Sequence, residues 1–160
     1  MSTPEQRRGG APVGYLDELS AVEAGAVLYL RLWCDGPDSQ TQVWNDFAST
    51  FGAARGRAAL KGFEQLCTLA VEHARHPFMR HAVTCRCLGA HEAVFATLVA
   101  SATRGDREDA MLMAALLVRS DIAVPMTDLA QQFGLALQSI ERGGSTCRTH
   151  SPPDGTHQLH

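Results

Sequence analysis

"SAVEAGAVLYLRLWCDGP", residues 20–37, carries a start, a body and a stop. Ser20-x-x-Glu23 is a capping-box pattern, in which the serine oxygen and the glutamate satisfy helix-start N–H groups reciprocally. Val22, Gly25, Ala26, Leu28, Tyr29, Leu32 and Trp33 then lie on one broad apolar face at the helical period. Asp35-Gly36-Pro37 breaks the run just after Cys34. The stretch predicts a helix that must bury one side along its whole length.

The same grammar repeats outward. A second helix is expected over about 38–51, with Trp44, Phe47, Ala48 and Phe51 on one face and Gly52 at its end. A third, about 54–75, would bury Ala59, Phe63, Leu66, Ala70 and Ala74 and stop before Pro77. A fourth starts near Gly89, carries Val94, Phe95, Leu98, Val99 and Ala102, and ends at Arg104-Gly105. Asp106 caps a fifth, whose "AMLMAALLV" is apolar all round and so predicts a central position. Asp121 to Pro125 are expected to break the chain ahead of a last helix carrying Met126, Leu129, Ala130 and Phe133, with Gly134 as a break. No strand pattern and no internal repeat is found. The fold class expected is all-α, a single bundle of five to six helices over 15–142, between a disordered lead (1–14) and a disordered tail (143–160).

Composition agrees. The chain has 160 residues, of which 45% are hydrophobic, enough for one unaided core. The net charge of −3 gives no field that would attract nucleic acid or anionic membrane. Lys61 is the sole lysine against a large excess of arginine, a bias that suggests a GC-rich bacterial genome. Arg7-Arg8 raises the question of export. Asp17, Glu18, Glu23 and Arg31 interrupt any signal core, and no apolar run is long enough to span a bilayer. The expectation is a cytoplasmic protein without membrane contact. Cys34, Cys67, Cys85, Cys87 and Cys147 are an odd number, and Cys34 and Cys67 lie in apolar helical contexts, unlike a secreted disulfide framework.

Chemistry concentrates in "RHAVTCRCLGAHE", residues 80–92. His73, His76, His81, Cys85, Cys87 and His91 fall close together, about a fourfold excess over an even spread. On a helix Cys85 and Cys87 would point about 200° apart, so they can act together only on a turning or extended backbone. The segment between Pro77 and Gly89 supplies one. His81, Cys85 and Cys87 then offer three ligands for tetrahedral Zn²⁺. His76, His91, His73 or a distant Cys34 or Cys67 would be the fourth. Such a zinc would tie the third helix to the fourth. Two other readings stand beside it. One is a plain loop with partly exposed thiols. The other is a thiol redox sensor at Cys85/Cys87, because Arg80, Arg86 and the following helix start favour thiolate and a disulfide across one residue is labile. His91 in a helix's first turn is expected to stay neutral. Glu92 reads as an ordinary favourable first-turn acid.

"MTDLAQQFGLALQSIER", residues 126–142, is similar to the helix-turn-helix of DNA-binding repressors, with Ala130, Gly134 and Ile140 in the signature positions. The resemblance implies a transcriptional regulator whose Gln138, Ser139 and Arg142 face DNA. A single basic residue and the acidic balance speak for a packed terminal helix instead.

No phosphate loop and no H-E-x-x-H is present, so no catalytic residues are assigned. Asn45 and Asp46 read as solvent-facing, and Met111 and Met113 as core. "LRLWCDGP", "VWNDFA" and "CRCLGAHEAVFATLVASATRGDREDAMLMAALLVR" resemble small uncharacterised proteins of alphaproteobacterial type, over about residues 20–137. That resemblance implies a helical fold and bacterial origin, and no mechanism. A homodimer or a protein partner is compatible with such a bundle.

Overall fold

The computed structural model describes residues 9–146. The first helix, α1 (Ala21–Asp35), begins where its capping box demands. Ser20 Oγ accepts from Glu23 N–H, and Glu23 Oε2 accepts from Ser20 N–H at 2.9 Å. α2 (Pro37–Phe51) and α3 (Ala53–Glu72) follow as packed neighbours joined by Gly52, whose φ of 78° suits glycine. Gly56 lets the two backbones approach, since a Cβ there would meet the Phe47 carbonyl at 3.0 Å. α4 (Ala90–Arg104), α5 (Arg107–Leu117) and α6 (Ser120–Thr146) complete an all-α bundle of six α-helices among the described residues.

Tyr29 meets Phe47, Phe63 and Phe133 edge-on, and Phe63 stacks on Phe133 at 4.4 Å. Phe95, Leu98, Val99 and Met126 close the space between α4 and α6. The Tyr29 hydroxyl donates to Asp46 Oδ2 at 2.7 Å, so Asp46 is not simply solvent-facing. Burial, then the hydrogen bond and charge of Asp46, push the Tyr29 phenol well up.

Four expectations need correction. The lead does not end at residue 14: β1 (Pro12–Tyr15) pairs antiparallel with β2 (Cys87–Gly89), in register Tyr15↔Cys87. Residues this short and exposed carry no alternation to read, because loop backbone and not side-chain burial holds the strand. α3 stops at Glu72, ahead of Pro77, because Ala74 and Arg75 turn to bridge Leu117 and Val118. α5 is not central. Ala110, Ala114 and Leu117 face the core, whereas Leu112 and Leu116 are 63% and 60% exposed. Its small residues set which side packs, a distinction that hydropathy alone misses.

The last correction concerns the C-terminal third. α6 starts at Ser120, runs through Pro125 and shows no break at Gly134. Pro125 lies early in the helix and forfeits one hydrogen bond there. Gly134 faces Thr103, whose Oγ1 a Cβ would overlap, so this glycine serves close packing of α6 on α4. The helix also extends beyond residue 142. Residues 1–8 and 147–160, with Cys147, lie outside the described residues.

Candidate functional site

Arg31 is the largest fully buried side chain among the described residues. It leaves the apolar face of α1 and enters the loop 78–89. All five of its N–H donors find acceptors. Nε donates to Glu92 Oε1 at 2.7 Å and Nη2 to Glu92 Oε2 at 2.8 Å. Nη1 donates to the carbonyls of Ala82 (3.1 Å) and Cys85 (2.6 Å), and Nη2 also to that of Cys87 (2.7 Å). Glu92, equally buried, uses its remaining lone pairs on backbone: Oε1 accepts from His81 N–H at 3.0 Å and Oε2 from Gly89 N–H at 2.9 Å. Burial alone would raise this carboxyl. The bonds from Arg31, then from Gly89 and His81 N–H, with the Arg31 charge, outweigh it and hold Glu92 below the usual carboxylate range. Among the described residues no buried side-chain polar atom lacks a partner.

The bidentate pair thus fixes the loop that carries the thiols. It ties α1 and α4 to the loop and sets the path of residues 81–89. Glu92 is an anchor, not only a helix-start acid. Neither role was legible. Arg31 occupies an apolar stripe, and a single charge there reads as an interruption. A weak signal existed: Glu92 stands three residues after Gly89, as a back-bonding capping acid should.

Held this way, the thiols converge. Cys85 Sγ lies 3.8 Å from His81 Nδ1, and the His81 Nε2 sits 3.0 Å from the Gly10 carbonyl. A carbonyl only accepts, so Nε2 carries a proton, and Nδ1 is the ring nitrogen that faces Cys85. The neighbouring Cys85, through hydrogen bonding and then charge, followed by desolvation, raises the Cys87 thiol, against an opposing effect of Arg31. Both sulfurs are half-buried and unbonded to each other.

The other expected ligands are engaged differently. His91 Nδ1 accepts from Met79 N–H at 2.9 Å, and its ring lies 5.4 Å from that of Phe78. Desolvation, then the neighbouring His76, lower its pKa. His76 shares a small pocket with His91, Phe78 and Leu116. His73 lines a separate surface hollow with His76, Arg75 and Arg119. Cys34 meets Arg80, and Cys67 is buried near it; desolvation raises both thiols. Among the described residues no three His, Cys, Asp or Glu side chains form a ready-made metal cluster. No helix among them is long and apolar enough to cross a membrane.

Residues 126–142 lie within the unbroken α6, so the turn that a helix-turn-helix requires is not there. Ser139 Oγ and Arg142 Nε bond carbonyls of their own helix.

No protein-family model, curated protein or solved structure matches the chain.

Proposed function

We propose that the loop 81–87 is a thiol redox switch, with Cys85 as the reacting sulfur and Cys87 as its resolving partner. One observation carries this reading: Cys85 Sγ faces Nδ1 of an imidazole whose other nitrogen is tied to a backbone carbonyl. A nucleophile beside a base that a third group orients is the general arrangement of an activated thiol. The His81 ring takes the Cys85 proton, leaving a thiolate next to an imidazolium. The thiolate attacks the distal oxygen of a hydroperoxide, and the O–O bond breaks. Cys85 becomes a sulfenic acid, and the alkoxide or hydroxide leaving group collects the proton from His81. Cys87, losing its proton, attacks the Cys85 sulfur and expels hydroxide, which leaves as water. The sulfur pair has lost two electrons, and the peroxide has gained them.

Counting free thiols before and after stoichiometric hydrogen peroxide tests the reading. Loss of the Cys85 and Cys87 thiols together, reversed by dithiothreitol, is the expected result. Unchanged reactivity at both overturns it.

A second reading keeps zinc at His81, Cys85 and Cys87, supported by the same bond from His81 Nε2 to the Gly10 carbonyl: a ligating histidine usually has its far N–H held by an oxygen. His91 is the weaker fourth ligand, since its Nδ1 already accepts from Met79 N–H. Elemental analysis decides. Zinc below about 0.2 per chain, with stability unchanged in His81→Ala and Cys85→Ser, removes it.

A further inference from the structure

We infer that the redox state of Cys85 and Cys87 governs whether the N-terminal strap, residues 9–17, stays docked on the bundle. The inference rests on the thiol reading and names its output.

The strap is held mainly by the loop that carries the thiols and by the start of α4. The Gly10 carbonyl accepts from His81. Ala90 N–H donates to the Ala11 carbonyl at 3.2 Å. β1 pairs with β2, with Tyr15 opposite Cys87 itself. Leu16 N–H donates to the Arg86 carbonyl at 3.0 Å, and the Arg86 guanidinium pairs with Asp17. Apolar anchoring is slight. Val13 and Tyr15 are more than half exposed, and Leu16 and Leu19 reach only a small cluster of Val27, Leu88 and Ala96. Gly9 lies so close against the His91 ring that a Cβ would overlap it, so the strap follows one narrow path.

Arg86 stands between the two thiols. A disulfide across it closes a ring of about eleven atoms, which needs Cβ atoms near 3.8 Å apart. Cys87 opens β2, and closing so small a ring bends the chain at Arg86 away from the extended path that the strand follows, so the peptide units on either side of Arg86 rotate. Their carbonyls are those of Cys85 and Arg86. The first is held by the buried Arg31 guanidinium at 2.6 Å, the second by the Leu16 amide near the surface. Charge-assisted hydrogen bonds are roughly twice as strong as neutral ones. The Leu16–Arg86 bond therefore yields first. With it goes the alignment of Arg86 with Asp17 and of Cys87 with Tyr15. Oxidation thereby becomes an undocked strap, an uncovered β2 edge and an exposed Leu16–Leu19 contact surface.

Amide hydrogen exchange of the full chain tests this, read by mass spectrometry on the peptides spanning 10–19 and 86–92. The reduced protein, the peroxide-treated protein and peroxide-treated Cys87→Ser are compared, with α4 and α6 amides as the internal check of an intact fold. We expect exchange at Leu16 and along β1 to accelerate by about tenfold or more when the disulfide forms. It should return to the reduced rate with dithiothreitol and stay slow in Cys87→Ser. A Cys85–Cys87 disulfide proven by mass, with β1 protection unchanged, overturns the inference and leaves the thiol reading standing. Failure to form the disulfide at all overturns both.

Discussion

Arg31 and Glu92, 61 positions apart in sequence, meet in a bidentate ion pair at 2.7 and 2.8 Å with neither side chain exposed. Their remaining hydrogen bonds all go to the backbone of the loop between α3 and α4. A segment with no helix and little core of its own is thereby given one conformation.

Breaking this pair from either side should be severe. Arg31→Met leaves Glu92 as a buried, unpaired carboxylate and frees the carbonyls of Ala82, Cys85 and Cys87. A loss of about 3–5 kcal/mol is expected, read as a fall in the urea midpoint. Arg31→Lys should recover little, since a point ammonium cannot serve five acceptors in fork geometry. The double variant Arg31→Met/Glu92→Leu should be more stable than either single one, because it removes the orphaned charge.

Stability should depend on pH through Glu92. Its folded-state pKa is depressed, so its contribution is present in full above the ordinary carboxylate range. As pH falls through that range and below, the unfolded state takes up the proton first and the contribution is lost. Thermal melts from neutral to acid should show the decline, and Glu92→Gln should flatten that part of the profile.

Cys85 reactivity should depend on His81. His81→Ala removes the ring nitrogen at 3.8 Å, so alkylation of Cys85 by iodoacetamide at neutral pH should slow by about tenfold or more. Cys67, buried in the core, should remain unlabelled in both proteins. Peptide mapping of the labelled chain gives both values. An unchanged Cys85 rate would show that the imidazole does not activate it.

Gly134 should resist replacement by a better helix former. Gly134→Ala gains about 1 kcal/mol in helix propensity but drives a methyl into Thr103 Oγ1, with Thr103 Cβ at 3.0 Å and Val99 Cγ1 at 3.2 Å. Overpacking costs about 1–3 kcal/mol, so net destabilisation is expected in chemical denaturation. Thr103→Ala/Gly134→Ala should recover most of the loss. A stabilised Gly134→Ala single variant would show that α6 and α4 can separate freely.

The sequence by itself determined most of the helices. Ser20-x-x-Glu23, Gly52, Gly89 and Gly105 are local signals, written within a few residues of the helix ends they set. Apolar periodicity likewise placed Phe47, Phe63, Phe95 and Met126 in the core. Position within the bundle was not legible in "AMLMAALLV", because a uniformly apolar run does not say which side has a neighbour. Gly134 was read as a break because the Thr103 it packs on comes from another helix. At the site, the concentration of His81, Cys85 and Cys87 and the need for non-helical backbone were visible in the sequence. Their arrangement was not. It depends on Arg31 reaching from α1 to Glu92 on α4, and on residues 9–17 crossing back over the loop. Contacts between distant segments leave no period in the chain. A buried charge looks like a flaw in its helix until its partner arrives, and only the tertiary structure brings that partner within 2.7 Å.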